Sequence, residues 1–170
     1  MEIKVQPPGH LTWNARQVRC ALGRSGIRSN KIEGDGATPA GTFPLRRVLY
    51  RADRLAAPET GLTIQALETS DGWCDDQSDP AYNRLIKRPY AAAFEELWRT
   101  DHVYDVIVEL GYNDAPPVPG LGSAVFMHVA RPGFEPTEGC VALRVEDLLA
   151  LLSDCDTAAV LVIPAGITTQ

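Results

Sequence analysis

The chain has 170 residues, of which 45% are hydrophobic and 22% charged, and this composition is that of an ordinary globular protein and excludes wholesale disorder. Its 16 basic and 22 acidic residues give a formal net charge of −6. Nucleic acid and anionic membrane surfaces both require a basic face, so neither is expected as a partner. The length predicts a single domain, which we assign to residues 1–170.

The N-terminus lacks a basic start followed by an apolar stretch, so we expect no secretory signal and a cytoplasmic location. If a signal segment was removed, the location would instead be periplasmic. The longest uncharged apolar stretch, near residues 158–167, is shorter than the roughly twenty residues that cross a bilayer. No two of the cysteines, Cys20, Cys74, Cys140 and Cys155, have the spacing of a zinc ribbon or a thioredoxin-like motif, and in a reducing compartment we expect free thiols. The sequence offers no cluster of metal ligands, so we expect no metal, and we expect no cofactor.

The first half of the chain contains two predicted strands and a polar segment. Val18, Cys20 and Leu22 alternate with polar neighbours, as in a half-buried strand. A glycine-rich loop then leads into a second predicted strand, residues 42–50. Residues 71–89 are polar and predict a long loop, and residues 90–100 predict a helix.

The second half contains three predicted strands and one clear helix. Residues 103–112 and 123–130 alternate strongly, and residues 158–163 are a short apolar run. A Pro/Gly turn, residues 114–122, joins the first two of these. Apolar residues at helical spacing, Val145, Leu148, Leu149 and Leu152, predict a helix. The fold class is therefore mainly β with a few helices.

One region combines residues suited to nucleophilic acyl transfer. His128 lies in a predicted core strand, and Gly139 and Cys140 follow a turn-rich loop. Only a thiolate attacks, and an imidazole within hydrogen-bonding reach can hold the thiol as a thiolate–imidazolium pair. The backbone N–H groups of Gly139 and Cys140 could face a developing oxyanion. From spacing alone, the same residues also fit a buried thiol and a core histidine.

The pattern resembles the catalytic signature of the YkuD-type L,D-transpeptidases. His128 is followed by Thr137-Glu138-Gly139-Cys140 and a leucine-rich helix, where that family has a strand histidine, a loop and Ser/Thr-His-Gly-Cys. Upstream, residues 34–43 resemble the family's Thr-Pro-x-Gly-x-Phe loop. The resemblance extends from about Val18 to Ile163.

The resemblance implies a β-sandwich with a mixed sheet and a cysteine in a cleft. It implies acyl transfer on peptidoglycan stem peptides, cleaving the bond between the L-centre of a diamino acid and a terminal D-Ala. In this chain it makes Cys140 the nucleophile, His128 the general base, and Gly139 a donor of an oxyanion-hole N–H.

Two departures and several further residues concern the substrate. Glu138 replaces the family's histidine, and Ala142 replaces its arginine, which puts substrate handling in question more than the nucleophile. The loop between His128 and Cys140 is also short for the family. The residues that we assign to substrate binding are Tyr112, Asn113, Arg131, Glu138, Trp73 and Asp75.

Three functions remain open at the level of sequence. The first is a cytoplasmic L,D-carboxypeptidase that trims soluble muropeptides during wall recycling, with water as the acceptor. The second is a transpeptidase that forms cross-links or exchanges D-amino acids in the cell wall. The third is a muropeptide-binding module with reduced catalysis. The oligomeric state is not predicted.

Overall fold

The structure is a computed structural model, and it describes residues 1–165, so the last five residues of the predicted domain lie outside the described residues. It contains fourteen strands and one α-helix. In chain order these are β1 (Glu2–Gln6), β2 (His10–Trp13), β3 (Arg16–Arg19), β4 (Ile27–Arg28), β5 (Thr38–Pro39), β6 (Gly41–Tyr50), β7 (Thr63–Ala66), β8 (Asp71–Cys74), β9 (Leu85–Lys87), β10 (Phe94–Glu96), β11 (Val106–Leu110), β12 (Phe126–Val129), β13 (Val141–Leu143), α1 (Val145–Asp154) and β14 (Val160–Ile163). A single 3₁₀ turn (Pro132–Phe134) lies between β12 and β13.

Nine strands form one mixed sheet in the order β13-β12-β11-β6-β14-β1-β2-β3, with β7 also paired to β6. The pairs β1–β14, β6–β7 and β12–β13 are parallel, and the other pairs are antiparallel. The strand-rich fold with a mixed sheet, predicted from the sequence, is confirmed.

The two ends of this sheet are joined by a short seam, so the sheet is nearly a barrel. Just after β3, the Ala21 N–H donates to the carbonyl of Ala142 in β13 at 2.8 Å, and the Ala142 N–H donates back at 2.9 Å. Two residues further on, Thr137 donates to the Leu22 carbonyl and accepts from the Arg24 N–H. The loop before Cys140 is therefore held against the first third of the chain.

The alternation of β12 separates two hydrophobic clusters on the opposite faces of the sheet. Val125, Met127 and Val129 pack in the main core, together with the buried leucines of α1. Phe126 belongs to a second cluster on the other face, which also contains Cys140. The predicted alternation of residues 123–130 and the predicted helix are both confirmed.

The predictions for residues 71–89 and 90–100 were wrong, because these residues form a second sheet. Strands β8, β9 and β10 pair in the order β10-β8-β9, so a predicted loop contains two strands and a predicted helix contains one. Each strand has only three or four residues, too few to show an alternating pattern. All four residues of β8 are buried, a burial that depends on the rest of the fold rather than on a local repeat.

The single helix has ten residues, and no helix in residues 1–165 is long and apolar enough to cross a membrane.

Candidate active site

The register of β12 and β13 places His128 and Cys140 on the same face of the sheet. These strands are parallel, with Met127 opposite Val141 and His128 opposite Ala142. Cys140 precedes Val141 and therefore lies beside Phe126, two positions before the level of His128. With a rise of about 3.3 Å per residue, the backbone levels of the two residues differ by about 7 Å along the strands, and both side chains line one cavity on this face.

The Cys140 thiol is bonded to backbone groups on β12 and on the segment before it. Its Sγ accepts the Phe126 N–H at 3.3 Å, and its S–H donates to the Ala124 carbonyl at 3.2 Å. The pKa of Cys140 is raised to about 12, mainly by burial and then by Glu95, with the Phe126 N–H and Lys31 acting in the opposite direction. The resting group is therefore a neutral thiol.

The His128 ring is held by its own backbone and by Tyr104. Nδ1 lies 2.9 Å from the Val129 carbonyl, and since a carbonyl only accepts, Nδ1 carries the hydrogen and Nε2 keeps its lone pair. The Tyr104 ring packs edge-on at 5.4 Å between centroids. Burial lowers the pKa of His128 to about 4, so the imidazole is neutral at pH 7. The resting pair is thus uncharged, unlike the thiolate–imidazolium pair expected from the sequence, because burial penalises both ions.

Gly139 is required by the backbone just before the nucleophile. Its φ is +139°, and a Cβ built there would lie 2.7 Å from the Ala37 carbonyl oxygen. Its N–H donates to Thr137 Oγ1 at 3.1 Å, while the Thr137 hydroxyl donates to the Cys140 carbonyl at 2.7 Å. Thr137 therefore fixes the turn, and the Gly139 N–H predicted for the oxyanion already has an acceptor in the resting structure.

His128, Gly139 and Cys140 all line one cavity of about 450 Å³, within the size range of small-molecule sites. Charged side chains of both signs surround it. The basic ones are Lys31, Arg99 and Arg131, and the acidic ones are Glu33, Asp75, Glu95, Glu135 and Glu138.

Three of the residues predicted to bind substrate reach this cavity. The Asp75 carboxylate has one buried oxygen, Oδ1, without a hydrogen-bond partner in residues 1–165, and burial raises its pKa. Arg131 lies 3.4 Å from the Asp101 carboxylate. Glu138 is 78% exposed and pairs with Arg24 at 2.9 Å, so its negative charge is partnered by a guanidinium.

The other three predicted substrate residues do not line the cavity. Trp73 is buried, and its ring packs edge-on against that of Phe126 with 4.9 Å between centroids. Its Nε1 donates to Asn83 at 2.8 Å, so Trp73 packs against a neighbour of the site instead of contacting the cavity. Tyr112 packs edge-on against Phe43 and donates its hydroxyl hydrogen to the Leu121 carbonyl. Asn113 bonds to Val118 and Gly122, which lie in the following turn. The hydrogen-bonding groups of these three side chains therefore bond within the fold.

Five charged cavity residues were missed by sequence reasoning: Lys31, Glu33, Glu95, Arg99 and Glu135. Glu95 lies in the segment misread as a helix, accepts the Tyr104 hydroxyl at 2.5 Å, and has a pKa raised by burial. Arg99 forms a bidentate pair with Asp101. Lys31 and Glu33 immediately precede the glycine-rich loop, which was the only sequence signal near them.

A family model described as the L,D-transpeptidase catalytic domain (YkuD) matches residues 3–163. The chain belongs to the L,D-transpeptidase family. No curated protein and no solved structure gives a significant match. As a member of this family, the protein is a cysteine enzyme of acyl transfer on peptidoglycan stem peptides.

For a metal, residues 1–165 offer no group of three or more His, Cys, Asp and Glu side chains that could hold an ion. The chemistry described below uses only side chains and backbone groups, since thiol acyl transfer is carried out by a nucleophile and a base.

Proposed function

We propose that this L,D-transpeptidase-family enzyme is an L,D-carboxypeptidase that releases terminal D-Ala from the tetrapeptide stem of soluble muropeptides. The observation that carries the proposal is the common cavity of Cys140 and His128. There a thiol and a neutral imidazole with a free Nε2 lie on one face of adjacent parallel strands.

The proposed reaction has two steps, acylation and deacylation, and in each of them His128 first accepts a proton and then returns one. As the Cys140 sulfur attacks the carbonyl carbon, its proton passes to Nε2 of His128, the S–C bond forms, and the carbonyl electrons move to oxygen. When that oxyanion collapses, the C–N bond breaks and the imidazolium gives its proton to the departing amine of D-Ala. In deacylation, His128 takes a proton from water as the water oxygen attacks the thioester carbon; the C–S bond then breaks, the shortened peptide leaves as a carboxylic acid, and the imidazolium returns the proton to the Cys140 sulfur.

The charges of the cavity support a substrate that carries both an ammonium and carboxylates. Asp75 and Glu95 are carboxylates in a largely desolvated setting, where an ammonium from the diamino acid would pair with them favourably. Arg131 is half exposed at the rim, where its guanidinium fork can bind a carboxylate of the peptide. Asp75 and Glu95 come from the small sheet, so that sheet would form the substrate wall.

We also propose a cytoplasmic location, which the state of the cysteines supports. All four cysteines are free thiols, and all four are buried. Unpaired thiols are typical of reducing compartments. Cell fractionation with antibody detection tests this location, and recovery of the protein only in the periplasmic fraction would contradict it.

The reaction is tested by incubating the protein with a disaccharide tetrapeptide and following products by mass spectrometry. We expect equimolar D-Ala and tripeptide, and we expect Cys140→Ala to reduce the rate by at least about 10³-fold because the nucleophile is lost. Cys155→Ala, which removes a buried thiol far from the cavity, is the matched control and should keep wild-type activity. D-Ala release by pure Cys140→Ala protein would refute the mechanism.

A transpeptidase is the second candidate, and the excess of acidic residues around the cavity favours it, because an amine acceptor would be attracted there. Formation of peptide dimers or exchange of D-Ala for another D-amino acid in the same assay would select this candidate. Binding of the tetrapeptide without any product would instead indicate a muropeptide-binding module.

A further inference from the structure

Lys31 is a buried lysine with a fixed counter-ion. Its side chain is 4% exposed and that of Asp35 is 5% exposed, with Nζ 2.8 Å from Asp35 Oδ1. Asp35 also accepts the N–H groups of Ile32 and Ala37, at 3.0 and 2.9 Å. Burying two charges is costly, and an apolar pair of similar size is often as stable. A role for the ammonium itself would account for this placement.

The ammonium lies next to the backbone that carries the nucleophile. A Cβ built on Gly139 would be 3.5 Å from Lys31 Nζ, and Gly139 is bonded directly to Cys140. On the other side, a Cβ built on Gly122 would be 2.9 Å from Lys31 Cε. The absence of side chains at these two glycines leaves room for the lysine, and Lys31, Gly139 and Cys140 line the same cavity.

Lys31 retains a donor that the fold does not use. An ammonium has three N–H groups, and within residues 1–165 Nζ is given two acceptors, Asp35 Oδ1 and the Ile32 carbonyl at 3.4 Å. By contrast, the Gly139 N–H donates to Thr137. Lys31 can therefore offer a hydrogen-bond donor to the reacting atoms, whereas the Gly139 N–H is already used within the fold.

Among the charged groups around Cys140, Lys31 is the cation that favours the Cys140 thiolate. Glu95, bonded to Tyr104, opposes the thiolate, and Glu138 pairs with Arg24 on the exposed side. Arg99 and Arg131 lie on the His128 side of the cavity and pair with Asp101. Glu33 faces the cavity near Lys31, but its carboxylate accepts hydrogen bonds from Tyr82 and Ser123.

Building on the proposed acyl-transfer function, we propose that Lys31 is a catalytic residue whose buried ammonium stabilises the negative charge that develops on the Cys140 sulfur and on the substrate carbonyl oxygen. The residue before Gly139-Cys140 is the acidic Glu138, so Lys31 supplies the positive charge beside this pair. Asp35 acts through Lys31 by holding the ammonium against the Gly139 backbone.

The test is the alkylation rate of Cys140 by iodoacetamide at about pH 8, read from the Cys140 peptide by mass spectrometry. The rate follows the thiolate fraction, so Lys31→Met should lower it about tenfold, whereas Lys31→Arg should stay within about threefold of wild type. A purely structural role predicts the opposite sign, because a loosened fold exposes the thiol and speeds alkylation. On the tetrapeptide, we expect Lys31→Met to lower kcat with KM nearly unchanged.

Lys31→Met leaves Asp35 buried and unpaired, so the double variant Lys31→Met/Asp35→Asn is measured beside it and decides the result if the single variant loses its near-UV circular dichroism. Alkylation at or above the wild-type rate in the folded double variant would overturn the proposal. Alkylation needs no peptide, so this outcome is separate from the proposed function, which is tested by D-Ala release from the tetrapeptide and its loss in Cys140→Ala.

Discussion

At the scale of single residues, burial determines the protonation of the two side chains proposed to react. Cys140 and His128 are both almost fully buried, and desolvation raises the pKa of the thiol and lowers that of the imidazole. A neutral imidazole is a competent base, and a neutral thiol is protected from oxidation until a substrate arrives. The proton transfer is therefore expected to accompany attack rather than to precede it.

This argument predicts the acid limb of the pH profile of kcat/KM. Protonation of His128 removes the base, and its pKa is lowered from 6.5 to about 4, so activity should persist as the pH falls through 6.5 and decline only near 4. The measurement is kcat/KM for D-Ala release against pH, with thermal melts at each pH to establish that the protein is folded. An acid limb near pH 6.5 in folded protein would contradict the neutral, buried base.

At the scale of elements, the small sheet β10-β8-β9 forms part of the proposed site. Glu95 lies in β10, Asp75 comes directly after β8, and both residues line the cavity. Its Trp73 lies behind Phe126, whose N–H bonds to the Cys140 sulfur. Packing of the small sheet and placement of the thiol are thus linked through one aromatic contact.

Trp73→Ala should therefore destabilise the protein by about 3–5 kcal/mol, the usual cost of emptying a buried aromatic site. Trp73→Phe, which keeps a ring against Phe126 and loses the hydrogen bond to Asn83, should cost about 1–3 kcal/mol. Denaturant unfolding measures both values. A loss below about 1 kcal/mol for Trp73→Ala would show that the small sheet does not depend on this contact.

At the scale of the whole molecule, the seam between the two ends of the main sheet holds the loop that carries the nucleophile. Backbone hydrogen bonds join Ala21 to Ala142 and residues 22–24 to Thr137. Gly23 lies at this seam, and a Cβ there would be 2.5 Å from the Gly36 carbonyl oxygen and 2.8 Å from the Thr38 nitrogen. These are backbone atoms, so they cannot move aside cheaply.

Gly23→Ala is accordingly expected to lower stability by about 1–3 kcal/mol and to reduce kcat, because the seam must shift and Thr137 shifts with it. Ser29→Ala, an exposed position of the same segment, is the matched control and should leave both unchanged. Thermal unfolding and D-Ala release measure the two effects. Wild-type stability and kcat in Gly23→Ala would show that the seam is not needed to hold the loop.

The sequence by itself determined those features that depend on local period and on a short motif. The alternation of residues 123–130 divides their apolar side chains between the two clusters, and helical spacing places Leu148 and Leu152 in the core, so each element is identified by a local repeat. The motif formed by His128 and Gly139-Cys140 indicated the family. The parallel pairing of β12 with β13 brings these three residues to one cavity.

Only the tertiary structure decided the features that depend on distant parts of the chain meeting. The strands around Trp73 and Phe94 are too short to show a period, and they form because they pair with each other. Lys31 and Gly139 lie more than a hundred residues apart in the chain and are neighbours in the fold. No local sequence pattern indicates that this lysine has an N–H group without an acceptor. The neutral state of Cys140 and His128 likewise follows from desolvation by the assembled fold, which residue spacing does not encode.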